Sequence, residues 1–365
     1  MDGMSIYSER IRKMRYYIFA PNEAMLFTKD ENIYYFTGMR HSEGSLLITE
    51  EKAYLFVDFR YAEAAEKTVS SAQVINSVER EKDICKACVE NGVTLLSLEA
   101  KETNVLQYSR FTELFTKRHS IKLECDGGFD MAIANNRMIK TPDEIEKMQT
   151  AQNITEKALT EVLNDLKPGV TERSIAIRLE YLMKLYGAED ISFDLITITG
   201  ENTSLPHGVP GDRVVKDGDF FTFDIGAVYE GYHSDMTRTF GIGHINEKQR
   251  QVYDIVLKAQ KAALDTIKDS VFANQVDAAA RDIIKNAGYG DYFGHAVGHG
   301  VGLEIHEAPT VSPRSTKLLS PGMVITDEPG IYIPGEFGVR IEDMVLVEHG
   351  GYKNFASFTK NLIVI

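Results

Sequence analysis

At 365 residues the chain is long enough for two domains, and 43% hydrophobic with 26% charged residues is ordinary globular composition. A net charge of −14, with no lysine or arginine stripe interleaved with aromatics, argues against nucleic acid and anionic membranes as partners. The N-terminus, MDGMSIYSERIRKMRYY, lacks the apolar core of a signal peptide, no stretch reaches the roughly 18 apolar residues of a spanning helix, and three cysteines cannot close a disulfide framework, so a cytoplasmic location is expected.

Along the first third, helices are expected at Tyr7 to Tyr17 and Tyr61 to Thr68, a strand at Ala24 to Thr28, and a hairpin at Ser45 to Thr49 and Ala53 to Asp58. Strand and helix then alternate through Gln73 to Asn76, Lys82 to Glu90, Thr94 to Leu98, Val105 to Lys117 and Ile121 to Glu124, the pattern of an α/β domain. Cys85 and Cys88 form a CxxC, but they lie on a helix face with no second pair to complete a zinc site, and they read as small packing residues. Only four of 28 glycines and one of ten prolines precede Cys125, so the composition changes there. The boundary is accordingly placed at Gly128, giving domains 1–128 and 129–365.

The second part opens on a helix start, with Thr141 as N-cap, Pro142 in the first turn and Glu144 as capping-box partner; the helix runs to Leu166 and stops at Lys167-Pro168-Gly169. A second helix spans Thr171 to about Tyr186, and strands follow from Phe193. The order then repeats: a helix from Asn246 to about Ile267, another from Asn274 to Ala287, then glycine-rich strands to the C-terminus. The repeat extends to detail, because GDFFTFDIG (218–226) lines up with GMVITDEPG (322–330), setting Asp224 opposite Glu328. Asp235 in HSDMTRTF likewise falls opposite Glu342 in RIEDMVLV. Two copies of helix, helix, strand, acid, hairpin, acid predict a pseudo-two-fold domain with four carboxylates converging on its axis.

Four carboxylates brought together cannot all stay ionised without cations, since like charges raise each other's pKa. Two divalent ions balance them, and such pairs drive hydrolysis by clamping the scissile group and activating water. The repeat supplies no nitrogen ligand. The candidates lie in GHAVGHGVGLEIH, where His295, His299 and His306 stand among four glycines that let backbone approach a ligand closely. Oxygen-rich ligation with one imidazole favours Mn²⁺, Co²⁺, Fe²⁺ or Zn²⁺ over a thiolate-bound structural zinc.

The stretches FDIGAVYEGYHSDMTRTF, GHGVGLEIHEAP, TDEPGIYIP and GVRIED together resemble the pita-bread metallopeptidases that include aminopeptidase P and prolidase, with methionine aminopeptidase and creatinase more distant. The likeness covers roughly residues 138 to 360 strongly and the N-terminal part, through NIYYFTG and DFRYAEAA, more weakly. It implies a creatinase-like α/β N-terminal domain followed by an α+β pita-bread catalytic domain. Asp224, Asp235, His299, Glu328 and Glu342 would be the ligands of two metal ions, manganese first among the four metals above. Glu328 would also be the general base for the attacking water, His207 would face the substrate, and His295 and His306 would steady the scissile carbonyl. Arg340, two residues before Glu342, would share a strand face with it and orient a bridging carboxylate or a substrate group. Arg40 and His41, in the GMRHSEG loop, would touch substrate across a dimer interface.

The activity implied is hydrolysis of the bond between an N-terminal residue and a following proline in short proline-containing peptides, by a homodimer. Some dipeptidase members carry a basic residue just after the HExP segment; here Thr310 stands there, with Arg314 further on, which favours an Xaa-Pro aminopeptidase over the alternative, an Xaa-Pro dipeptidase (prolidase). Readings of another class are a non-catalytic binding protein of the same fold or a metal-free, creatinase-like hydrolase.

Overall fold

The computed structural model describes residues 5–365, which divide into two compact units, the first ending at Arg137 and the second spanning Met138–Ile365. The first unit carries a six-stranded mixed sheet in the order β4-β3-β2-β1-β5-β6, built from β1 (Glu23–Phe27), β2 (Ser45–Thr49), β3 (Ala53–Val57), β4 (Gln73–Asn76), β5 (Leu95–Leu98) and β6 (Lys122–Glu124). β1 runs antiparallel to β2 and parallel to β5, and α1 (Ile6–Met14), α2 (Asp30–Thr37), α3 (Phe59–Thr68), α4 (Arg80–Glu90) and α5 (Val105–Phe111) complete the α/β layer expected from the alternating pattern. Cys85 and Cys88 pack in its core with Leu96, Phe111 and Phe115.

Two helices went unread in the sequence, α2 and α6 (Gly128–Met138). NIYYFT is a run of aromatic and β-branched residues without helical period, and GFDMAIANNRM is rich in Gly and Asn, so neither announces a helix. Gly128, the expected boundary, is the first residue of α6, whereas the compact units part at the helix's other end. Within the first unit, Phe129 packs edge-on against Phe27, and Arg137 donates to Asn32 Oδ1 at 2.7 Å.

The second unit opens with α7 (Pro142–Val162) and α8 (Glu172–Leu185). Thr141 N–H donates to Glu144 at 2.8 Å, completing the predicted capping box of α7. After β7 (Asp190–Ile191) come β8 (Ile196–Thr199), β9 (Phe220–Ile225), β10 (Ala227–Tyr229), β11 (Tyr232–His233) and β12 (Met236–Gly241). Then α9 (Glu247–Thr266) and α10 (Ala273–Asn286) precede β13 (Gly298–Gly300), β14 (Glu307–Val311), β15 (Val324–Asp327), β16 (Gly330–Ile333), β17 (Phe337–Arg340), β18 (Asp343–Glu348) and β19 (Gly351–Asn354). α10 begins at Ala273 rather than Asn274, since Gln275 reaches back to cap the Phe272 amide.

The repeat is visible in the pairing. β9 lies antiparallel between β8 and β12, and β15 lies antiparallel between β13 and β18. Each half has its own apolar core. One is centred on Phe221, Phe223 and Leu179, the other on Val256, Ile325 and Val345, so each helix pair covers its sheet while the strand ends that carry the acids are left to polar contacts. Among the described residues no helix is long and apolar enough to cross a membrane.

Candidate functional site

Each half delivers one acid from its central strand and one from the mouth of the next. Asp224 is the penultimate residue of β9, and Glu328 immediately follows β15; Asp235 immediately precedes β12, and Glu342 immediately precedes β18. Hairpins β10–β11 and β16–β17 separate the two acids of each half. His299 enters from β13, where the flanking glycines have a physical reason: a Cβ at Gly298 would collide with the Thr326 carbonyl and one at Gly300 with the Ala308 carbonyl.

Ligand atoms of Asp235, His299 and Glu342 all lie within 4.8 Å of one another. His299 Nε2 stands 3.5 Å from Asp235 Oδ2 and 3.4 Å from Glu328 Oε1. Its Nδ1 is 3.1 Å from the Gly300 carbonyl, to which it donates as an N–H, leaving the Nε2 lone pair directed at the acids. Burial pulls the His299 pKa down to about 4, so the ring is neutral at physiological pH, the form a metal requires.

Burial, then the Asp224 charge, pushes Glu328 up to about 8, with Arg340 acting in the opposite direction. Burial together with neighbouring acids raises Asp235 and Glu342 well above the ordinary carboxylate range. One arginine cannot neutralise four carboxylates, whereas divalent cations can. The donor set of four carboxylates and one neutral imidazole therefore fits a hard or borderline divalent cation.

Arg340 is the hub of the surrounding hydrogen bonds. Its Nη2 donates to Asp224 Oδ2, its Nη1 to the Tyr332 hydroxyl at 2.8 Å and to the Pro206 carbonyl at 3.4 Å, and its Nε to Thr237 Oγ1 at 3.1 Å. Thr237 Oγ1 in turn donates to Glu342 Oε2 at 2.6 Å. Arg340 therefore orients acids from both halves, one directly and one through a hydroxyl. Arg340 ends β17 and Glu342 lies in the following connection, so it is Thr237 that relates them, rather than the shared strand face anticipated from their spacing.

His295 Nδ1 lies 2.8 Å from the Ala296 carbonyl and its Nε2 2.9 Å from the Tyr332 hydroxyl. With Nδ1 protonated, Nε2 accepts from Tyr332, whose oxygen accepts from Arg340. Burial lowers His295 to about 4, so this ring stays neutral too. His306 is exposed, with its ring centroid 4.4 Å from that of His299, and His207 is exposed on the segment between β8 and β9. In the first unit, Arg40 places its guanidinium 5.8 Å from the Tyr34 ring centroid, and His41 is exposed with a left-handed φ of 50°.

Tyr332 and Thr237 were missed in the sequence. Arg340 pairs with Gly330 across β16–β17, so Tyr332, two residues on, shares its face; strand alternation could have found it. Asp327 was also passed over. It is fully buried, and neither carboxylate oxygen has a hydrogen-bond partner.

The profile of Metallopeptidase family M24 matches residues 146–349, and that of the Creatinase/Prolidase N-terminal domain matches residues 22–125. An Xaa-Pro dipeptidase of Pyrococcus horikoshii is 39% identical over 99% of this chain and 100% of its own. The solved structure of an Xaa-Pro dipeptidase from Bacillus anthracis superposes with a TM-score of 0.94 at 36% identity, covering 98% of this chain and all of that one. An X-Pro aminopeptidase from Thermotoga maritima gives 0.88 at 33% identity, over 97% and 100%.

Proposed function

The chain belongs to metallopeptidase family M24, and from that membership we propose that it is an Xaa-Pro dipeptidase that uses two divalent metal ions, manganese first among them. The order of the two activities is thereby reversed. The aminopeptidase expectation rested on Thr310, one residue on an exposed position of β14, whereas similarity to named dipeptidases runs the length of the chain. The aminopeptidase stays as the second reading, favoured by the likeness to the Thermotoga maritima enzyme.

The observation that carries the proposal is the convergence of Asp235, Glu328 and Glu342, acids from both halves of the repeat, on one neutral imidazole. Asp224, Asp235, His299, Glu328 and Glu342 would hold the ions, which when bound would polarise the scissile carbonyl and acidify the attacking water. Glu328 would take the proton of that water and pass it to the proline nitrogen as the peptide bond breaks. Because Tyr332 occupies His295 Nε2, His295 would act by fixing the Tyr332–Arg340 pair, leaving His306 and His207, both exposed, to meet the substrate. This complete acid set argues against a non-catalytic or metal-free relative.

We assign the first unit to the creatinase-like domain and the second to the catalytic domain, with the boundary at the end of α6 rather than at the expected Gly128. The chain would act as a cytoplasmic homodimer, for which the three free cysteines suit a reducing compartment. Arg40 and His41 would reach substrate across that dimer, and a His41→Ala variant with unchanged dimerisation and activity would remove this assignment. Initial rates on paired substrates such as Ala-Pro and Ala-Pro-Ala test the main reading. The dipeptidase hydrolyses the first and spares the second, and faster cleavage of the tripeptide would establish the aminopeptidase instead.

A further inference from the structure

Glu172 is the first residue of α8 and is completely buried, and among the described contacts no cation lies within ion-pair distance of its carboxylate, the Arg213 guanidinium acting on it through charge alone. Its oxygens are satisfied by hydrogen bonds alone. Oε1 accepts from the Thr199 backbone N–H at 2.8 Å and from Asn202 Nδ2 at 2.9 Å, and Oε2 accepts from the Gly211 backbone N–H at 2.9 Å. Thr199 and Asn202 lie on the limb entering the segment 199–211, and Gly211 on the limb leaving it. One carboxylate therefore bridges both limbs at the base, where the leaving limb is also held by the Glu172 N–H donating to the Arg213 carbonyl at 3.1 Å and the Arg173 N–H to the Gly211 carbonyl at 3.0 Å.

That segment carries His207. Beyond the base it is tied down by the Gly338 N–H donating to Thr203 Oγ1 at 2.8 Å and by the 3.4 Å contact from Arg340 Nη1 to the Pro206 carbonyl. At the tip the Leu205 N–H donates to the Asn202 carbonyl at 2.9 Å and the Gly208 N–H to the Leu205 carbonyl at 3.0 Å, while Leu205 and Val209, on either side of His207, are 54% and 83% exposed. A buried carboxylate that accepts only neutral donors is costly to desolvate, and each charge-assisted bond it makes is strong.

We infer that Glu172 is a positioning residue, which fixes the two limbs of the 199–211 segment so that His207 is presented to the substrate. The inference rests on the role proposed for His207 in Xaa-Pro hydrolysis. Glutamine in place of Glu172 keeps the shape but turns one acceptor into a donor facing an N–H, so the side chain loses its hold on one of the two limbs.

The test combines amide hydrogen exchange with kinetics on the metal-loaded full chain. In Glu172→Gln, exchange across residues 199–211 should accelerate while bound metal is retained. The value of kcat/KM for an Xaa-Pro dipeptide should fall about tenfold to a hundredfold, the range set by losing a hydrogen bond to a charged group. In a His207→Ala background the same substitution should change kcat/KM less than twofold, because its effect passes through His207. Multiplicative losses in the double variant overturn the inference, as does faster exchange with unchanged kcat/KM. Should Glu172→Gln fail to fold, Asn202→Ala removes one of the three donors and is read in the same way. If the wild-type chain hydrolyses no Xaa-Pro peptide, the proposed function fails, and exchange alone then decides the clamp: unchanged exchange in the variant sinks it.

Discussion

Removing the metal ions should invert the pH dependence of stability, and Glu328 sets the size of the effect. Burial, with the Asp224 charge behind it, carries this group from an ordinary 4.5 to about 8. A pKa raised in the folded state contributes stability that is complete below the unfolded value and is lost as pH rises through the folded one. Over that interval the metal-free protein should lose stability at about 1.4 kcal/mol per pH unit, or about 5 kcal/mol between pH 4.5 and 8 from Glu328 alone. Asp235 and Glu342, displaced in the same direction, steepen the decline. With divalent ions bound the slope reverses, since binding requires the deprotonated carboxylates. Urea denaturation of chelator-treated protein from pH 5 to 8, with and without Mn²⁺, measures both slopes. The metal-free Glu328→Gln variant should be shallower than wild type by the Glu328 share. If metal-free wild type and the glutamine variant run parallel across this range, the electrostatic account of the site is wrong.

Arg340→Met deprives Asp224 of its guanidinium partner and Thr237 of a donor, so metal affinity should drop about 10- to 100-fold, read by metal titration; an unchanged affinity would show that the hub does not organise the ligands. Arg238 is buried, donates to Asp343 at 2.8 Å and to the carbonyls of Glu342, Phe358 and Thr359, so Arg238→Met should cost about 3–5 kcal/mol in denaturant unfolding, and a loss under 1 kcal/mol would contradict this. Asp327→Asn should stabilise the protein by about 1–3 kcal/mol at pH 8. Burial holds Asp327 well above the carboxylate range, so wild type pays an ionisation penalty that the variant lacks and that fades as pH falls toward 4. A variant less stable than wild type at pH 8 would show that Asp327 has a partner to lose.

The duplicated acids were legible because a repeat aligns residues without any knowledge of the fold. Asp224 with Glu328 and Asp235 with Glu342 fell at equivalent places in two copies of one pattern, and the strand pairing of β9 and β15 repeats it. His299 could be nominated from glycine density, but its ligand tautomer depends on the Gly300 carbonyl, a contact that only the folded strand provides. Tyr332, Thr237 and Glu172 were invisible for a shared reason. Each acts through partners distant in sequence, and a tyrosine, a threonine and a first-turn glutamate are ordinary residues in a strand or at a helix start. The proposed preference for dipeptides was equally beyond a single position such as Thr310.

The claim at the centre is that four acids and His299 together hold two divalent ions that make hydrolysis possible. Titrating Mn²⁺ into chelator-treated protein while following Ala-Pro cleavage tests it most directly. The account predicts no cleavage without metal, activity that saturates at two equivalents per chain, and no recovery in Glu328→Gln at any metal concentration. Full activity in the metal-free chain, or saturation at one equivalent, would contradict it.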